Sequence, residues 1–330
     1  MCGIFGVWNH SGISGSDLKR ASALLRHRGP DDEGFLTVSE GVATPFSGKE
    51  TTAPGLPALP DALPCPNALL HRRLSILDLS PAGHQPMQLQ GRKLYISYNG
   101  EVYNFKELAA AHNITARSGT DTEIILALYA KIGSACFAQM QGMWALALLD
   151  LEKGALILCR DRFGIKPLYY SLSGKSIAFS SEIKPLLEVA KVPARLARNK
   201  ILQFLTYGAT SDAHETFFEG IEALAPGTLI RFPLDLQSFE AERWYDLETA
   251  AQQAPAGDFE SLFSDSVRAH MVADVEVGSC LSGGLDSSAI VASAATSAPG
   301  FKTFTASFPG EGFDETAYAR KLAVLHPDLD

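Results

Sequence analysis

The residue best suited to chemistry stands second in the chain. Cys2 follows Met1 directly, in Met1-Cys2-Gly3-Ile4-Phe5-Gly6-Val7-Trp8. Trimming of the methionine is expected where the next side chain is small. Cys2 would then carry a thiol and a free α-amine on one residue. An unperturbed α-amine titrates near about 7.7–8.0, so part of it is neutral and basic at physiological pH. An amine that takes up the proton while the sulfur attacks a carbonyl makes an N-terminal nucleophile. The plainer account is that position two is merely small and apolar. The run 4–8 reads as a buried strand, which would fix the sulfur at the end of a rigid element.

Three further groups carry candidate chemistry. Asn99-Gly100 closes the apolar run 94–99. The pair is either a turn signal or an oxyanion hole, with the Asn99 amide and the Gly100 N–H aimed at a developing negative oxygen. Asp121 stands in Thr120-Asp121-Thr122-Glu123, where Thr120 and Glu123 have capping-box spacing ahead of an apolar helix face. It is either first-turn charge that complements the helix dipole or a carboxylate that grips a substrate's α-ammonium. Cys280-Leu281-Ser282-Gly283-Gly284-Leu285-Asp286-Ser287-Ser288 is a short strand, a Ser/Gly turn and the start of a small-residue helix. Glycines let backbone N–H groups close around phosphate, and the helix N-terminus adds donors and dipole. The run lacks Gly-Lys-Ser/Thr and is not a Walker loop.

Several elements must position these groups. Residues 16–26 carry a helical stripe with Ser16 as N-cap. Residues 48–67 are rich in proline without periodicity and read as a surface loop. The runs 68–77 and 94–99 read as strands around a polar turn, 80–86. The runs 143–149 and 155–159 read as a hairpin, and 168–172 and 176–180 as further strands. Helical patterns occupy 183–187, 199–206 and 259–271, and 303–308 reads as the next strand. The pattern is a strand-rich α/β domain with antiparallel connections.

At 330 residues the chain is long enough for two domains, and 46% hydrophobic residues can build their cores. A net charge of -9 argues against nucleic-acid and anionic-membrane partners. No apolar run approaches the roughly 18 residues of a membrane span, and the N-terminus does not read as a secretory signal. The five cysteines form no Cys-x-x-Cys pair, which fits reduced thiols better than disulfides or zinc, so no metal site and a cytoplasmic location are expected.

Six segments, in order, resemble one family: 2–6, 26–31, 71–76 (His71-Arg72-Arg73-Leu74-Ser75-Ile76), 99–104, 119–123 and 160–169 (Arg160-Asp161-Arg162-Phe163-Gly164-Ile165-Lys166-Pro167-Leu168-Tyr169). They resemble the glutaminase half of glutamine-hydrolysing asparagine synthetases, which are class II, N-terminal-nucleophile amidotransferases. The resemblance implies an αββα sandwich of two antiparallel sheets over residues 1–210. It implies Cys2 as nucleophile, Asn99 and Gly100 as oxyanion hole, and Arg73, Leu74, Ser75, Ile76, Glu101 and Asp121 around bound glutamine. Arg73 would pair with the glutamine α-carboxylate, which suits a guanidinium.

The segment 281–288 resembles the pyrophosphate loop of N-type ATP pyrophosphatases, the same family's synthetase half, here 258–330 after a connecting segment 211–257. The resemblance implies a parallel doubly wound domain that takes ATP with Mg2+ and aspartate and forms an acyl adenylate for ammonia to attack. Leu281, Ser282, Gly283, Gly284, Asp286, Ser287, Ser288 and Ala306 would bind ATP. It also implies a homodimer. A later glycine-rich segment and a catalytic lysine of the family are not seen by Asp330, so the chain is expected to be truncated and to retain at most glutaminase activity. Two alternatives stay open: an amidotransferase for another carboxylate, such as a peptide or polysaccharide sugar acid, and a non-catalytic glutamine-binding remnant. A phosphoribosyl-pyrophosphate amidotransferase would share Cys2 but not residues 282–288.

Overall fold

The computed structural model describes residues 1–210, 214–253 and 257–330. Two units divide the chain, Met1–Gln253 and Ala254–Asp330. In the first unit the elements run β1 (Gly3–Trp8), α1 (Gly15–Leu25), β2 (Asp32–Ser39), β3 (Val42–Ser47), β4 (Ala68–Arg73), β5 (Met87–Gln88) and β6 (Leu94–Val102). There follow α2 (Phe105–Ala111), α3 (Asp121–Ile132), α4 (Cys136–Gln139), β7 (Gly142–Asp150), β8 (Ala155–Arg160), β9 (Tyr169–Ser173) and β10 (Ser176–Ser180). The unit ends with α5 (Ile183–Glu188), α6 (Arg198–Tyr207), β11 (Glu222–Ala223), β12 (Thr228–Pro233), β13 (Glu240–Arg243) and α7 (Leu247–Gln253).

The strands form two antiparallel sheets, in the orders β11-β9-β10-β1-β4-β2-β3 and β13-β12-β8-β7-β6-β5. Side chains alternate across a strand with period two, and β1 shows why its whole run is apolar. Ile4 and Trp8 enter the core shared with Leu149, Leu158 and Phe232 of the other sheet. Phe5 and Val7 point the opposite way, onto Leu18, Ala21 and Leu25 of α1 and Leu186 of α5. A strand covered on both faces reads as a continuous hydrophobic run rather than an alternating one. On the other side α3 lies along β6 and against α2. The expected sandwich of two antiparallel sheets between helices is present.

Three expectations are corrected. The N-cap of α1 is Ser14, not Ser16, and its partner in a reciprocal capping box is Asp17. Residues 48–67 are not a simple surface loop: Leu59 and Cys65 are buried in the core beneath α1. The segment is tied down by backbone bonds from Gly15 to Leu63 O, from Ser16 to Asp61 O and from Cys65 to Ile13 O. Prolines fix its conformation without periodicity, and its few apolar side chains do the anchoring. The connecting segment 211–257 contributes strands to both sheets, since β11 pairs with β9 and β12 pairs with β8. Those partners lie 52 to 78 residues away, so no local pattern announces the pairing.

The second unit contains α8 (Phe259–Ala269), β14 (Gly278–Cys280), α9 (Leu285–Ser297), β15 (Lys302–Phe304) and α10 (Thr316–Leu325). β14 and β15 pair in parallel across the α9 crossover, and Val267, Leu281, Val291, Ala294, Phe301 and Ala319 form a separate small core. No helix among the described residues is long and apolar enough to cross a membrane.

Candidate active site

Strand register assembles the site. Gly3 of β1 faces Arg72 of β4 in antiparallel register, which sets Cys2 beside the exit of β4 at Arg73 and Leu74. The Leu74 N–H donates to Cys2 Sγ at 3.4 Å, and the thiol faces Leu74 O at 3.7 Å. The Cys2 carbonyl accepts from Arg28 Nε at 2.9 Å, and Arg28 is itself held by Glu182 at 3.1 Å. Ile4 is pinned by the Ser181 hydroxyl on its N–H and by the Ser181 N–H on its C=O. Cys2 thus leaves a strand whose first residues are held on both sides.

β6 delivers the opposite wall. By the same period of two, Tyr95, Ser97 and Asn99 share one face, and Tyr95 enters the core between the sheets. Ser97 hydrogen-bonds His71 Nδ1 of β4 at 3.0 Å, so Asn99 points from β6 toward the sheet that carries Cys2. Asn99 is 1% exposed, and its Nδ2 has no hydrogen-bond partner. Native structures rarely leave a buried donor unpaired, because its desolvation goes uncompensated. Asn99-Gly100 is not a turn: both residues lie within β6, opposite Ala145 and Trp144 of β7. Glycine is required at 100 because a Cβ would sit 2.4 Å from Met143 O and 2.6 Å from Trp144 Cβ.

Asp121 begins α3 behind the Thr120 N-cap. Its Oδ2 accepts from the Tyr98 hydroxyl at 2.7 Å and from the Val102 N–H at 2.9 Å. Burial pushes its carboxyl up to about 6 against the pull of those two bonds. Arg73 donates to the carbonyls of Leu77, Asp78 and Ser80, which spends three of its five N–H groups and folds the following loop around it. Gly83 of that loop packs so closely that a Cβ would meet Arg73 Nη2 at 1.9 Å. Burial also raises the Cys2 thiol, opposed by the Leu74 hydrogen bond, the amino terminus, Arg73 and Lys166. The α-amine of Met1, which precedes Cys2 in this chain, is lowered by burial.

One cavity is lined by Cys2, Arg73, Leu74, Ile76, Asn99, Gly100, Glu101 and Asp121 together. Of the residues expected around glutamine only Ser75 is absent from the wall, since its N–H is turned onto Asp31 Oδ2 at 2.8 Å. The cavity also takes Met1, Leu77, Gly83, Gln85, Tyr98, Thr120, Thr122 and Lys166, none of which sequence reading assigned to the site. Gln85 and Gly83 lie in or beside a segment read only as a polar turn, and Lys166 lies in the segment 160–169. Gln85 is there to brace β6, its Oε1 accepting from Tyr98 N–H at 2.7 Å.

In the second unit the Ser/Gly run closes as a loop onto α9. Ser282 Oγ lies 3.0 Å from Ser287 Oγ and accepts from the Gly284 N–H at 3.3 Å. Gly283 adopts φ of +84°, where a Cβ would also meet Tyr318 Cβ at 2.7 Å. Gly284 caps α9 with no side-chain bond, so the first-turn N–H groups remain open to an anion. Ser287 and Ser288 are half-buried and Asp286 is exposed in that first turn. The two positions flanking the loop that are also expected to bind ATP, Leu281 and Ala306, differ from it. Leu281 is buried in the unit's core, and β15 ends at Phe304, so Ala306 is an exposed residue beyond the strand rather than within it. No group of three or more potential metal ligands occurs among the described residues.

Residues 65–245 match the family model described as Glutamine amidotransferase domain, and residues 258–326 match the one described as Asparagine synthase. A Methanocaldococcus jannaschii protein named "Putative asparagine synthetase (glutamine-hydrolyzing) 2" is 33% identical over 97% of this chain and 62% of its own length. Bacillus subtilis "Asparagine synthetase (glutamine-hydrolyzing) 1" is 30% identical over 98% of this chain and 48% of its own. The chain therefore spans about half to three-fifths of the length of these relatives. A solved structure of glutamine phosphoribosylpyrophosphate amidotransferase from B. subtilis superposes with a TM-score of 0.53 at 15% identity, over 92% of this chain and 65% of that one. That likeness concerns the fold alone. With a family model matched over more than half of its length, the chain belongs to the glutamine amidotransferase domain family.

Proposed function

We propose that the first unit hydrolyses glutamine through Cys2 and that the ammonia serves an asparagine-forming ligase of which the second unit is part. The observation that carries the proposal is the buried, unpartnered Asn99 amide on the same cavity wall as Cys2. A donor kept unpaired there suits an oxygen that becomes negative only during reaction.

Removal of Met1 places the α-amine on Cys2, and the thiol proton passes to it as Sγ bonds to the glutamine carboxamide carbon. Asn99 Nδ2 and the Gly100 N–H hold the resulting oxyanion. The intermediate collapses with cleavage of the C–N bond, and the proton leaves with ammonia. Water then splits the γ-glutamyl thioester to glutamate and restores the thiol. Arg73, through the N–H groups its loop does not use, takes the α-carboxylate. Asp121, ionised, takes the α-ammonium, with Glu101 beside it on the wall.

The open N–H groups of α9 and the hydroxyls of Ser282, Ser287 and Ser288 suit the phosphates of ATP. Mg2+ is commonly held by one or two carboxylates with phosphate oxygens, and Asp286 is the carboxylate at this loop. Bound ATP would activate the carboxylate of aspartate as an adenylate, and the loop's part is to orient the phosphates.

Glutamate release by the purified chain, with the N-terminus checked by intact mass, tests the glutaminase step. Release that disappears in Cys2→Ala supports it. A chain free of Met1 that releases no glutamate, or a Cys2→Ala variant as active as wild type, overturns it.

A further inference from the structure

The loop between β8 and β9 brings to the cavity a lysine that the steps above do not use. Asp161 is fully buried and accepts from the backbone N–H groups of Trp144 at 3.1 Å and of Phe163, Ile165 and Lys166 at 3.0 Å. Arg160 grips the same loop through carbonyls, donating to Gly164 and Leu224 at 2.6 Å and to Lys166 at 2.7 Å. Lys166 is therefore fixed at both its N–H and its C=O. The residue is 7% exposed and lines the cavity with Cys2. A long cationic side chain is seldom buried without a task that offsets its desolvation.

Resting on the glutaminase reading, we propose that Lys166 is a positioning residue for the nucleophile, its ammonium supplying a fixed positive charge that favours the ionised sulfur of Cys2. The thiolate is the attacking species of a cysteine, and burial here works against it. The other charged and titratable groups around the sulfur are the amino terminus, Arg28, Arg73, Glu101, Tyr98 and Asp121. Arg73 is engaged with its loop and Arg28 with Glu182 and the Cys2 carbonyl. Lys166 differs from both in reaching the wall as a point charge on a loop braced from two sides. Burial lowers its own ammonium, and Glu101 and Cys2 act against that.

The test reads Cys2 directly. Alkylation by iodoacetamide is followed from pH 5 to 10 without glutamine, and the modified peptide is mapped by mass so that exposed Cys280 does not contribute. With Lys166→Met the midpoint should rise by about one pH unit, which slows alkylation about tenfold below it. Lys166→Arg should keep the rate within about twofold, since the charge persists. Lys166→Gln reads the same effect should the Met variant melt early. A merely structural role would lower the amplitude without moving the midpoint, and an unmoved midpoint in both neutral variants overturns the proposal. Because no glutamine is present, a wild-type chain that fails to release glutamate overturns the glutaminase reading and leaves this result standing on its own.

Discussion

Replacing Asp121 with asparagine should change stability and glutamine use in opposite directions, and pH sets the size of both effects. Asp121 is 4% exposed, and its carboxyl titrates at about 6 in the folded chain against an ordinary value of 3.8. A carboxyl raised on folding binds its proton more tightly in the native state. The stability it contributes is thus fully present below about pH 4 and lost as pH rises through about 6. The gap corresponds to about 3 kcal/mol. Asparagine does not titrate, and its side-chain oxygen can still accept from Tyr98 and Val102. The unfolding free energy of Asp121→Asn minus that of wild type should therefore shift in the variant's favour by about 2–2.5 kcal/mol between pH 4 and pH 7. Denaturant melts at a series of pH values measure this, and the subtraction removes the titration of every other group. In the same window wild-type kcat/KM for glutamine should climb with an acid limb near about pH 6, because only the ionised carboxylate pairs with an ammonium. The variant should lose that limb and roughly ten- to a hundredfold of kcat/KM, the worth of a charge-assisted hydrogen bond. A stability difference that does not move with pH would refute the burial argument. An acid limb that survives in the variant would refute the assignment of Asp121 to the ammonium.

Asn99→Ala should lower glutaminase kcat by about 10²–10³ with little change in KM, since its amide is spent on the transition state; steady-state kinetics decide, and an equal loss in KM alone would count against the oxyanion role. Gly100→Ala must push a methyl into β7, at 2.4 Å from Met143 O, and should destabilise the first unit by at least about 1–3 kcal/mol in a thermal melt. Arg72, 1% exposed, bonds Glu33 at 3.1 Å and Glu50 at 2.7 Å. Arg72→Ala strands the buried Glu33 and should cost about 3–5 kcal/mol, whereas Arg26→Ala, on the exposed side of Glu50, should cost under about 1 kcal/mol.

Much of this protein is legible in local patterns. The continuous run Ile4–Trp8 announces a strand buried on both faces, the apolar positions behind Thr120 announce α3, and Ser282–Ser288 announces a loop that closes on a helix. Each of these is set by neighbours within a turn or a strand pair, where period and capping chemistry act directly. Cys2 stands out for the same reason, since the chemistry proposed for it depends on its place next to the initiator. What only the tertiary structure decided lies in pairings between distant segments. Asn99-Gly100 has the signature of a turn, yet the long pairing of β6 with β7 carries the chain straight through it, because backbone contact there tolerates only glycine. Residues 48–67 lack any period, and only burial of Leu59 and Cys65 beneath α1 shows that they belong to the core. β12 and β13 extend a sheet whose other strands end near residue 160. Gln85 and Lys166 reach the cavity because separate loops are folded around Arg73 and Asp161. Sequence determines the groups that can react and the elements that carry them; which groups meet is decided by strand register and by the burial that holds distant segments together.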